Sequence, residues 1–409
     1  MKIDPFRNIG HLKLELFTKG MKIDPSCDIE NDARPVLRTR SGLGSGLELI
    51  LPGNYYVNVP LEEFFVKDTP YILKKNEGQY FIYKNEQEIT KVTLPKKPKF
   101  YDKKTSSGKL MSRIGIMQGT YLAIYPTSVC QFWAMSSKKN CKFCSIGLNL
   151  GKNEDPEKSV QDVLETVEAA RKEEGITFVH FNSGFNYGHE IENIVPYVKA
   201  IKEKTGLLVG VQVSPSKDLK KYDYLKSLGV DHISICLEFY NPKYFTEFCP
   251  GKNEFLGRET FLKAIEYASK IFGKGRVAGE VIVGLEPVEN TLEAIEKFAE
   301  FGAVSTVCVF RPCVGTDLEK VNPPKSEDIA SVFTKMYEVC MKHNIPIDIA
   351  PNIKVSLVIL PYEGKFFIKK DAKYFLFRIK MFILKNFFYL YFLTKINIKR
   401  LSNDLKRKS

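Results

Sequence analysis

Residues 130–147 read CQFWAMSSKKNCKFCSIG, from Cys130 to Gly147. Three of the nine cysteines fall here: Cys130, then Cys141 and Cys144 as a C-x-x-C pair. Ten residues separate the first from the second. Three thiolates this close can occupy three corners of a metal site and leave the fourth open. The stretch follows an apolar, strand-like run, Thr120 to Tyr125, and the chain repeats that run at intervals from there onward.

Working outward from it, strand-like segments at 177–181, 207–213, 232–238, 277–285 and 306–310 alternate with helical patterns. The helical patterns cover 159–174, 194–204, 219–228, 258–272, 292–301 and 326–343. Parallel strands need long crossovers, so this alternation predicts βαβ units and a parallel sheet. Six units fall short of a closed eightfold barrel. The expected fold is α/β, a partial (β/α)6 TIM-type barrel over residues 112–350. In such barrels chemistry collects at the C-terminal ends of the strands. The cysteine loop follows the first strand and belongs at that mouth.

The flanks differ in character. Residues 1–38 are expected to be loosely ordered or a peripheral helix, with Met1–Pro5 duplicated at Met21–Pro25. Residues 39–111 predict a small β-rich appendage, with strands at 47–51, 55–59, 79–83 and 89–94. The Gly-rich run Arg38–Gly46 lacks the Lys-Ser/Thr ending of a phosphate loop and reads as a connecting turn. Pro95–Lys99 reads as an extended linker. Residues 351–409 form a basic, aromatic, helical tail. Arg378, Lys380 and Lys385 interrupt its apolar run, so a spanning helix is not expected. The tail suits packing on the barrel or a protein partner, or a membrane surface.

The net charge of +13 is concentrated in this tail: Lys365 to Ser409 holds thirteen Lys/Arg against two Asp. The body is therefore near neutral, which argues against a uniformly basic nucleic-acid surface. Scattered, odd-numbered cysteines do not form a secreted disulfide framework. The start is polar with no long apolar run after it, so a cytoplasmic location is expected.

The cysteine stretch admits two metals. Zinc normally takes four protein ligands, and here His180 or His189 would have to complete the set. Three cysteines alone better suit a [4Fe–4S] cluster with one open iron.

The Cys141-Lys142-Phe143-Cys144 ending resembles the C-x-aromatic-C motif of the radical S-adenosylmethionine (SAM) superfamily, and the resemblance extends over roughly 112–345. The first gap departs from the usual three residues, although elongator-type members also have a long one. The resemblance implies that Cys130, Cys141 and Cys144 hold a [4Fe–4S] cluster and that SAM chelates its fourth iron. An electron from the cluster then cleaves SAM to a 5′-deoxyadenosyl radical, which takes hydrogen from a small-molecule substrate. It also implies a low-potential donor such as flavodoxin or ferredoxin. Trp133 and Met135 are candidates to cover the cluster.

Carried over by motif position, the SAM contacts begin with Phe143, the aromatic of the motif. Ser183 and Gly184 lie in the turn facing the amino group, and Gln212, with Ser214, stands near the ribose. Glu238 ends the next strand, Lys252 or Arg258 would pair with the carboxylate, and Ile282 and Gly284 lie along the adenine. Arg311–Glu319 resembles the Pro-x-x-Gly-Thr-x-Leu stretch of the biotin synthase-like branch, and Cys313 lies in it. Two other readings stay open: a radical SAM enzyme modifying RNA, and a zinc-stabilised binding protein without catalysis.

Overall fold

The computed structural model describes residues 1–38 and 45–408. Most of the Gly-rich turn, 39–44, lies outside the described residues. Six strands form the central sheet in sequence order: β1 (Tyr121–Ile124), β2 (Phe178–Asn182), β3 (Leu208–Gln212), β4 (His232–Glu238), β5 (Val277–Val283) and β6 (Val304–Val309). Neighbours pair in parallel, for example Val179 with Leu122 and with Val209. A short strand, Ile116–Gln118, pairs antiparallel with β1 at one edge. Ile359 bridges to Val307 at the other. The sheet stays open, a curled partial barrel as expected.

Helices cover its outer face: α1 (Val160–Glu174), α2 (Glu190–Lys204), α3 (Lys220–Ser227), α4 (Arg258–Phe272), α5 (Val288–Glu300) and α6 (Ser326–Lys342). α1 starts at a capping box of Ser159 and Asp162 and ends where Gly175 turns left-handed. α2 and α5 each begin four residues before the expected start. Their first turns carry Glu190, Glu192 and Glu289. These residues suit a helix N-terminus but break the apolar rhythm.

Alternation along the strands divides the residues sharply. Val209, Val211, Ile233 and Ile235 point outward into the helical layer and are fully buried. The inward set includes His180, Asn182, Gln212, Ser234, Cys236 and Glu280. A barrel interior is ordinarily filled by branched apolar side chains. A polar one leaves room, and a reason to look for a ligand.

The N-terminal expectation is corrected. Ile9–Lys19 is a helix buried from Gly10 to Thr18. Lys13 reads as a solvent residue, yet its Nζ lies 2.8 Å from Glu363 Oε1 with both side chains buried. Glu15 accepts from Tyr71 Oη at 2.8 Å. A Cβ on Gly10 would meet Phe366 Cβ at 2.4 Å, so this helix sits hard against the segment after the barrel. Paired charges hid a core element. The appendage contains the hairpin Ser45–Leu51 and Tyr55–Val59 and a meander of Tyr71–Asn76, Gln79–Lys84 and Gln87–Val92. Tyr71–Asn76 was not anticipated, and Lys74 and Lys75 obscure its pattern. The tail becomes one long helix, α7 (Ala372–Lys408). Among the described residues no helix is long and apolar enough to cross a membrane.

Candidate functional site

Two cavities follow one another along the barrel axis. The upper, about 120 Å3, lies at the C-terminal strand ends; Cys130, Cys141, Cys144 and Lys252 are among its lining residues. The lower, about 310 Å3, occupies the barrel lumen. Asn182, Gln212, Cys236 and Glu238 line both, forming a neck between them.

The ten-residue gap is tied down at several points. Gln131 N donates to Phe185 O at 2.9 Å, Lys142 N to Phe248 O at 3.0 Å, and Gly251 N to Lys139 O at 3.0 Å. Phe132 stacks on Phe185 with ring centroids 4.4 Å apart. These contacts fold the loop back so that Cys130 joins the C-x-x-C pair, where Cys144 N donates to Cys141 O at 3.0 Å. Trp133 lines the upper cavity; Met135 does not. Phe143 lines it too, edge-on to Phe239.

Gly184 is where β2's turn meets this loop. A Cβ there would lie 2.4 Å from Cys130 Cβ and 2.8 Å from Tyr125 Oη. Its N–H donates to that same hydroxyl at 2.9 Å. Ser183 Oγ lies 3.2 Å from Thr127 Oγ1. β4 ends in a bulge between Cys236 and Glu238, with Glu238 at φ 72°. The bulge turns the Glu238 carboxylate to the neck, where Lys252 Nζ donates to it at 2.7 Å and to Cys236 O at 2.7 Å. Glu238 and the nearby cysteine sulfurs hold the Lys252 ammonium well above its usual pKa despite its burial.

The other expected contacts lie elsewhere. Arg258 donates to Tyr240 O at 2.6 Å and lies over the Tyr240 ring, outside both cavities. Ile282 is fully buried on β5, and Gly284, at φ 111°, packs on Pro324; neither lines either of these two cavities. Gln212 and Ser214 do line the upper one. Arg311 is buried, donating to Asn58 O at 2.9 Å, and joins the barrel to the appendage. Cys313 is a buried thiol.

Several further residues cluster here. Cys249 is buried and hydrogen-bonds Cys141, which holds the Cys141 thiol below its usual value. Burial pushes Cys130 up to about 11, and Cys144 upward as well. In the lumen Glu280 Oε2 accepts from Gln212 Nε2 at 2.9 Å and from the Cys236 thiol at 3.1 Å. Burial pushes the Glu280 carboxyl up. Below it stand His180 and His232, ring centroids 6.5 Å apart. Burial lowers them to about 3 and about 4. His180 Nε2 and Asn182 Oδ1 are buried without a hydrogen-bond partner. The signal is present as polar residues at every second position of β4 and at His180 and Asn182 of β2.

Among the described residues no three His, Cys, Asp or Glu side chains converge closely enough to hold a single metal ion. Zinc requires that convergence. A four-iron cluster bonds each cysteine at a different corner, so cysteines spread around one cavity suit it better. Gly184 leaves space beside Cys130 that any side chain would fill. The residues present fit a cluster and a small ligand beside it.

Comparison with known proteins gives the class. The family model described as the radical SAM superfamily matches residues 138–302, beginning after Cys130 and including Cys141 and Cys144. The bacteriochlorophyllide c C-7(1)-hydroxylase of Chlorobaculum limnaeum is 29% identical over 143 residues, 35% of this chain and 36% of that protein. This chain thus spans about a third of the curated relative's length. Methylornithine synthase matches with TM-score 0.42 at 18% identity, covering 53% of this chain and 62% of its own. The [FeFe]-hydrogenase maturase HydG matches at 0.41 and 17%, covering 56% and 51%. Residues 138–302 thus carry the features of a radical SAM domain. The cofactors of that superfamily are a [4Fe–4S] cluster and SAM.

Proposed function

We propose that Cys130, Cys141 and Cys144 hold a [4Fe–4S] cluster and that SAM binds beside it in the upper cavity. With both bound, reductive cleavage of SAM supplies a 5′-deoxyadenosyl radical able to take a hydrogen atom from a small molecule in the lumen. The observation that carries this reading is the neck: the cysteine cavity and the larger lumen share Asn182, Gln212, Cys236 and Glu238. A radical formed above the neck has its target directly below.

The chain's own groups divide the work. Lys252, kept cationic by Glu238, supplies a charge-assisted contact for the SAM carboxylate. The Ser183–Gly184 turn borders the cysteine loop and leaves room for the amino end. Phe143, Gln212 and Glu238 bound the ribose region. Arg258 acts through Tyr240 and fixes the segment after β4. Ile282 and Gly284 shape the end of β5, outside both cavities. In the lumen Glu280, Cys236 and the neutral His180 present hydrogen-bonding groups to the substrate, while packing from 349–361 excludes water. A low-potential flavodoxin or ferredoxin supplies the electron. The relative's hydroxylation makes oxidation at a C–H bond the reaction class to test first.

Anaerobic reconstitution tests the core of this. The expected result is a brown protein with about four irons per chain that converts SAM to 5′-deoxyadenosine under reduction. Cys141→Ala retaining full iron and turnover would sink the proposal, as would a colourless protein with one zinc.

A further inference from the structure

α7 crosses beneath the barrel, under the N-terminal ends of its strands. Tyr374 and Phe377 each lie 5.8 Å from the Tyr337 ring of α6. Met381 Sδ accepts from Ile347 N at 3.3 Å, and Lys385 pairs with Asp348 at 3.0 Å. Phe388 enters the floor of the lumen, and Phe392 packs with Tyr121, Phe178 and Leu208. These residues recur at helical spacing and make one inward stripe.

Among the described residues nothing covers the opposite face. Leu376, Ile379, Phe382, Ile383, Phe387 and Leu390 are 49–69% exposed. At 3.6 residues per turn they occupy one arc of roughly 140° opposite the stripe. Its edges have a different composition. Arg378 and Tyr389 border one side, and Lys373, Lys380 and Tyr391 the other. From Ala372 to Asn403 there is no Asp or Glu. A contiguous apolar face of this size needs a partner. Cations of one sign along both margins, with tyrosines beside them, match the headgroup layer of an anionic bilayer. A protein-binding rim would ordinarily mix polar groups and both charges. The helix is not apolar enough to cross.

We propose that α7 is an in-plane anchor, laying the N-terminal end of the barrel on an anionic lipid surface. Its apolar arc enters the headgroup–acyl boundary while its lysines and arginine reach phosphates on both sides. The inward stripe meanwhile keeps the lumen floor closed with Phe388. This rests on α7 alone and stands or falls apart from the cluster chemistry.

Flotation of the full chain with vesicles tests it. Capture is expected on phosphatidylcholine vesicles containing about a third phosphatidylglycerol, and much less on phosphatidylcholine alone. F382E/F387E should abolish capture while leaving iron content and 5′-deoxyadenosine yield unchanged. K373Q/K380Q keeps the apolar arc and should weaken capture by about thirtyfold, with less salt dependence. Failure of the native chain to float with anionic vesicles overturns the proposal. So does equal flotation of F382E/F387E, or a dimer that this variant dissociates without any vesicle capture.

Discussion

Lys252 Nζ sits 2.7 Å from Glu238 Oε1 at the neck between the two cavities, with both side chains nearly buried. The pair is held by a bulge at the end of β4 and a short helix after it, so neither partner can turn to water. Removing the lysine alone strands a buried carboxylate. K252M is expected to lower stability by about 3 kcal/mol. E238Q/K252M, which leaves no lone charge, should recover most of that loss. Neither variant should regain SAM binding. Thermal melts and equilibrium binding to the reconstituted protein separate the two effects.

Gly184 makes a second prediction. A methyl group at this position would overlap Cys130 Cβ and crowd Tyr125 Oη. The cheapest relief is a shift of the Cys130 loop, because β2 is fixed on both sides. Gly184→Ala should cut iron incorporation by more than half while the far-ultraviolet spectrum stays native. Normal iron loading would show that the loop yields without moving its sulfur.

Four of the cysteines at or beside the upper cavity should behave unequally. Cys130→Ala, Cys141→Ala and Cys144→Ala each remove a proposed ligand and should leave little iron. Cys249 only donates to Cys141, so Cys249→Ser should keep about four irons per chain. Iron and sulfide assays with visible absorbance measure this.

Acid should weaken the fold through the lumen histidines. His180 and His232 stay neutral when folded because burial lowers them to about 3 and about 4. In the unfolded chain they titrate at their ordinary value of about 6.5. Below that pH the unfolded state takes up protons first, so stability is complete above it and is lost as pH falls toward 4. The slope is about 1.4 kcal/mol per pH unit for each histidine. His180→Leu should remove one such slope, read as the shift in urea midpoint between pH 7 and pH 5.

The barrel was legible in the sequence because each strand is a short apolar run bounded by turns. α4 matches its expected range, Arg258–Phe272, at both ends. Ile9–Lys19 was not legible, since Lys13 and Glu15 look like solvent residues until Glu363 and Tyr71 arrive to meet them. The three proposed cluster cysteines stand out by spacing alone. Choosing between Lys252 and Arg258 needs the direction of each side chain, which a sequence position does not carry. Cys249 had no local signal at all. The folded-back loop was equally hidden: its hydrogen bonds come from Phe185, Phe248 and Gly251, far along the chain.

The ion pair between Lys13 and Glu363 spans 350 positions. It fixes an order of events during synthesis. At about 5–20 residues per second, the helix Ile9–Lys19 leaves the ribosome roughly 20–70 s before its partner exists. Until then the helix carries an unmatched lysine and lacks the part of its core that follows the barrel. The contacts that join this helix to the segment following the barrel therefore form late, and until then the newborn chain is open to premature association.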